Sequence, residues 1–75
     1  MRNSLIISSY HGNKAVTDIM EEAGYPDKKT IDNPDLADIF SIAEELFSKK
    51  LNVMLQHNSN GSVILWVDNR NFKQR

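Results

Sequence analysis

Residues 51–67, LNVMLQHNSNGSVILWV, decide how this chain folds. Leu51, Val53 and Leu55 alternate with Asn52, Met54 and Gln56, the period of two expected of a half-buried strand. Val63 to Val67 forms a second such run, and Asn60-Gly61 between them supplies a hairpin turn. A two-residue turn sets Leu55 opposite Trp66 and Val53 opposite Asp68. A three-residue loop, Ser59-Asn60-Gly61 with Gly61 left-handed, pairs 58 with 62 instead. Val53 then meets Val67, Leu55 meets Leu65 and Met54 meets Trp66. A one-residue slip moves every side chain to the other face, so the better-matched register is the one expected.

Upstream of the hairpin, Asn33-Pro34 starts a helix, with Asn as cap and Pro at the first helical position. Leu36, Ile39, Phe40, Ala43, Leu46 and Phe47 form its apolar face to about Lys50. Truncation of Phe40 or Phe47 is accordingly expected to cost roughly 3–5 kcal/mol, as for core aromatics. Asp35 and Asp38 near the start, and Lys49 and Lys50 near the end, suit the helix dipole. An earlier helix begins at Lys14 behind an Asn13 cap and carries Val16, Ile19, Met20 and Ala23 inward. Gly24 and Pro26 end it. Leu5 to Tyr10 reads as a strand, and Asp27 to Asp32 as a polar connection.

The expected fold is therefore a small two-layer α+β domain, order β-α-α-β-β, spanning residues 1–75. Its three-stranded sheet includes the C-terminal hairpin, with both helices on the Val53, Leu55, Val63, Leu65 and Val67 face. The place of the first strand in that sheet is not legible. Residues 69–75 are expected to be a basic, frayed tail.

Composition narrows the function. The 75 residues are 40% hydrophobic and 25% charged with a net charge of -1, an ordinary globular mixture without a bulk attraction to nucleic acid or membrane. Without cysteine the chain has neither disulfides nor thiolate metal ligands, and a reducing compartment is permitted. Its apolar runs are far short of the roughly 20 residues of a spanning helix. The expected location is the cytoplasm.

The hairpin has apolar residues on both faces. Met54, Ile64 and Trp66 fall on the side away from the helices, where Ile6 or Tyr10 can join them. Trp, Tyr and Met are types enriched in buried interfaces, so this face is the leading site for a protein partner or a homodimer. The competing explanation is a cross-strand Trp-Met contact that stabilises the hairpin, with Phe72 folding back as its lid. Ile42, lying off the core stripe among Asp35, Asp38 and Glu45, is a further contact candidate. The nucleic-acid alternative rests on Arg70, Lys73 and Arg75 around Phe72, too few cations for the 6–10 phosphate contacts of a strong binder.

Catalysis is not expected. Ser8 to Lys14 is a strand-to-helix turn able to hold an anion weakly, but it is neither a phosphate loop nor a dinucleotide fingerprint. His11 and His57 lack carboxylate spacing for a metal or base pair, and Ser8 and Ser9 lack an Asp-His partner. No cofactor or metal is expected. A compact, cysteine-free chain with a partner-like sheet face is expected of a small regulatory or inhibitor protein, such as those carried by viruses and mobile elements, an association that rests on no motif.

Overall fold

The computed structural model describes residues 3–72. The order is β1 (Ser4–Ser9), α1 (Lys14–Glu22), β2 (Lys29–Asp32), α2 (Leu36–Ser48), β3 (Asn52–His57) and β4 (Ser62–Asp68). The sheet is four-stranded, in the order β2-β1-β4-β3. The expected β-α-α-β-β order with three strands is thus incorrect: the stretch taken as a polar connection contains β2. This strand escapes pattern reading because it is a short edge element, Lys29-Thr30-Ile31-Asp32, with only Ile31 part-buried. Charged, short edges of this sort resist further pairing, and they lack the alternation that identifies a strand. Backbone bonds clamp both ends, from Lys28 N–H to the Ile7 carbonyl (2.6 Å) and from Asn33 N–H to the Asn3 carbonyl (2.9 Å).

β1 is central, antiparallel to β2 and parallel to β4, with Ser4 aligned on Ser62 and Ser9 on Val67. Central position explains its apolar density: Leu5 and Ile7 are fully buried. They meet Leu65 and Val67 of β4, Val16 and Met20 of α1, and Ile39, Ile42 and Leu46 of α2 in one cluster. Both helices therefore share one face of the sheet, as expected from two layers.

The hairpin follows the three-residue loop. Val53 faces Val67, Met54 faces Trp66 and Leu55 faces Leu65. Asn58 N–H donates to the Ser62 carbonyl (2.8 Å), Gly61 N–H donates to the Asn58 carbonyl (3.0 Å), and Gly61 is left-handed at φ 96°.

Helix boundaries follow local chemistry. The Asn13 side chain accepts from Ala15 N–H at 2.9 Å. Beyond α1, Tyr25 N–H reaches the Met20 carbonyl (2.8 Å) and Gly24 N–H the Glu21 carbonyl (3.0 Å), with Gly24 left-handed at φ 94°. The start of α2 lies two residues later than the Asn33-Pro34 signal indicates. Asn33 is left-handed at φ 50°, whereas a cap residue is extended, and Asp35 takes that position with the Asp38 carboxylate accepting from its N–H at 3.3 Å. At the other end Leu51 N–H donates to the Leu46 carbonyl (3.2 Å) and Lys50 N–H to the Phe47 carbonyl (3.0 Å). This reversal drops Leu51 into the core and leads into β3 without a linker, but it forces Lys50 to φ 68°.

Two stability changes of opposite sign follow. A β-branched side chain resists the left-handed region, so Gly61→Val should lower stability by about 1–3 kcal/mol. Lys50→Gly relieves the same strain after α2 and should raise stability by up to about 1 kcal/mol, hence the melting temperature by up to ~8 °C. Thermal unfolding followed by circular dichroism checks both, and a lower melting temperature for Lys50→Gly would contradict the strain assigned to that turn.

Candidate functional site

On the face away from the helices, strand pairing places Ile6 beside Ile64, Ser8 beside Trp66, and Met54 across from Trp66. Sequence alternation anticipates this grouping, and Met54, Ile64 and Trp66 do share one surface. Ile64 and Trp66 are part-buried, while Met54 is 36% exposed. The Trp66 indole N–H donates to the Gln56 side-chain oxygen at 3.0 Å, which holds the ring along the sheet.

Tyr10 and Phe72 complete the cluster. Tyr10 N–H donates to the Val67 carbonyl at 2.8 Å, extending β1 by one residue and turning the phenol toward Trp66. The ring centroids of Tyr10 and Trp66 lie 5.6 Å apart, and those of Tyr10 and Phe72 5.1 Å, both edge-to-face. The chain after β4 therefore returns to Tyr10 at this end of the sheet. Between Tyr10, Met54 and Phe72 on one side and His11 and Asp68 on the other is an open concavity of about 480 Å³. Asp68 is 3% exposed. Its carboxylate accepts from Asn69 N–H (2.8 Å) and from the Arg70 guanidinium (3.4 Å), with His11 Nε2 3.9 Å away.

Other candidates fare differently. Ile42 is 6% exposed and belongs to the core, so the contact role expected of it is withdrawn. Helix rotation is the physical reason: Ile39, Ile42 and Leu46 point at the sheet, whereas Leu36, Phe40 and Phe47 are exposed at 68%, 62% and 68%. Phe40 and Phe47 are thus not core aromatics, and the large truncation penalty belongs to Ile39, Ile42 and Leu46. A signal was present in the sequence, since the apolar residues of α2 cover an arc of about 160°, wider than one buried stripe needs. Arg70, first of the tail cations, is engaged by Asp68; Lys73 and Arg75 lie outside the described residues.

At the strand-to-helix turn, Ala15 N–H goes to the Asn13 side chain, and Val16 and Thr17 N–H go to the Asn13 carbonyl, so three of the donors an anion would use are occupied. Lys14 is drawn to Asp18 at 2.9 Å, which raises its pKa. His11 stands at the Asp68 end of β4 and His57 pairs with Val63 at the other end, so the histidines do not meet. Ser9 N–H donates to Asp27 (2.8 Å), and its buried hydroxyl has no partner among the described residues. No group of three potential metal-ligating side chains occurs among the described residues. No helix among them is long and apolar enough to cross a membrane.

The Tyr25 hydroxyl donates to Glu45 at 2.9 Å and ties α2 to the segment after α1. Burial and then the Glu45 hydrogen bond raise the Tyr25 pKa. Because the folded-state value lies above the unfolded one, this contribution to stability is complete below about pH 10 and is lost as pH rises through the raised pKa. Tyr25→Phe should therefore show a shallower fall in melting temperature between pH 9 and 11 than wild type, when measured side by side. Equal slopes would mean that the bond is absent in solution.

Comparison with protein-family models, curated proteins and solved structures finds no match to this chain.

Proposed function

We propose that the chain is a protein-interaction module, a small regulator or inhibitor of a larger protein that acts by contact and not by catalysis. Its partner surface is the outer sheet face built from Met54, Ile64 and Trp66, extended by Tyr10 and Phe72. One observation carries this reading: Tyr10 contacts both Trp66 and Phe72 edge to face, across from Met54, on the side of the sheet opposite both helices. Rigid aromatic side chains lose little entropy on binding and provide most of the energy at protein interfaces. The concavity beside them offers a recess for an anchor from the partner, lined by the buried Asp68 carboxylate and the exposed Arg70 guanidinium that pairs with it. A chain without cysteine needs no oxidising compartment, and the cytoplasm is the proposed location.

Crosslinking from a photoreactive residue at position 10 in the native cell should trap a discrete partner protein. Trp66→Ser should weaken that complex by roughly thirtyfold or more, as loss of a buried aromatic anchor does. Met54→Lys, at a more exposed position, is the companion variant should Trp66→Ser disturb folding. Undiminished capture by both variants, with far-ultraviolet circular dichroism unchanged, would overturn the assignment.

A further inference from the structure

A second apolar surface lies elsewhere, at the β3 edge, and is independent of the outer-face reading. Leu36, Phe40 and Phe47 recur on α2 at one azimuth, with Ala43 between them, and Leu55 of β3 is 49% exposed on the same side of the sheet. The Tyr25–Glu45 bond fixes the rotation of α2. Glu45 faces the α1 side, and Phe47, two residues later at about 100° per residue, faces nearly the opposite way, past β3. Leu36 shares a groove with His57, and Phe47 shares one with Asn52. With Ser4, Gly61 and Val63 also lining the Leu36 groove, the stripe starts at the end of the sheet and comes alongside β3 toward Phe47, antiparallel to the strand.

The strand beneath is ready for pairing. β3 has a neighbour on one side only, and its six residues contain no Lys, Arg, Asp, Glu or Pro, the residues that ordinarily blunt an edge. The Asn58–Ser62 bond sets the alternation along the hairpin: 52, 54 and 56 bond to β4, which leaves the N–H and C=O groups of Val53, Leu55 and His57 directed outward. The opposite edge, β2, is short and charged.

From this geometry we infer that a second copy of the chain is the occupant, the two β3 strands pairing antiparallel about Leu55 into a continuous eight-stranded sheet. A two-fold axis perpendicular to the sheet keeps both sets of helices on one side and brings the two α2 stripes together, antiparallel. Self-complementarity is one of shape, since the apolar stripe of each α2 meets the same stripe of the other copy. The area is also appropriate. At roughly 200 Å² per large side chain, Leu36, Phe40, Phe47 and Leu55 leave about 500 Å² of apolar surface per copy. Two copies present up to about 1,000 Å² from these residues, and the strand backbones and Ala43 bring the available total toward the lower end of the ~1,200–2,000 Å² range of stable interfaces.

Sedimentation equilibrium of the purified chain tests this. Wild type should have twice its 8.6 kDa chain mass at micromolar concentration. Phe40→Glu and Leu55→Lys, both at exposed positions, should raise the dissociation constant roughly a thousandfold, because each change enters the interface twice. Trp66→Ser should leave the mass unchanged, which separates this interface from the outer-face site. Hydrogen exchange should show the Val53, Leu55 and His57 amides protected in wild type and released in Phe40→Glu. A monomeric wild type, a dimer indifferent to Phe40→Glu and Leu55→Lys, or a dimer with those amides unprotected would overturn the inference.

Discussion

The parallel pairing of β1 with β4 is the constraint from which the remaining structure follows. It places Leu5 beside Val63, Ile7 beside Leu65 and Ser9 beside Val67 in the middle of the sheet, where Leu5, Ile7, Leu65 and Val67 are fully buried and give both helices something to cover. β2 and β3 then occupy the edges by antiparallel addition, and they differ in kind. β2 contributes little burial and is held by backbone bonds, whereas β3 receives α2 above it and remains open outward. A domain this small buries only about 60% of its unfolded surface, so the apolar residues that remain outside say where further burial is available.

The rotation of α2 decides which apolar groups remain outside. Ile39, Ile42 and Leu46 face the core and Glu45 reaches Tyr25, so Leu36, Phe40 and Phe47 project past the sheet edge. The tight reversal at Lys49-Lys50-Leu51 enforces this arrangement, because buried Leu51 leaves α2 no slack to roll. The outer sheet face is built differently, from alternation along β3 and β4, with Tyr10 and Phe72 arriving from opposite ends of the chain. One surface is therefore a product of helix phase and the other of strand phase.

What the sequence made legible was local. Asn13 as a cap, Gly24 as a terminator, and Gly61 in a three-residue loop all express backbone preferences that act within a few residues, and they set α1 and the hairpin register correctly. Met54, Ile64 and Trp66 were grouped because strand alternation is equally local. β2 was illegible, since its four residues are defined by their neighbours and only Ile31 is part-buried. The inward face of α2 was illegible for another reason: its apolar arc is wide enough for two faces, and Phe is as plausible in a core as Ile. Placing Ile42 outside and Phe40 inside reversed two residues that only the tertiary contact with Tyr25 and the sheet distinguishes. The position of β1 depended on partners far along the chain, and no local signal encodes that.

That same central strand sets the order in which the molecule can be assembled. Ser4 aligns with Ser62, 58 positions later, so β1 is synthesised well before its main partner. At about 5–20 residues per second on a ribosome, Leu5-Ile6-Ile7 waits roughly 3–12 s for β4 to be made. During that interval β2 is the only strand that can pair with it, and β2 is short and polar. The sheet must then close a long loop before its best contacts form, which slows folding compared with a meander of the same size. A nascent chain of this design holds its future centre without its main partner strand for those seconds, the interval in which it is most prone to aggregate.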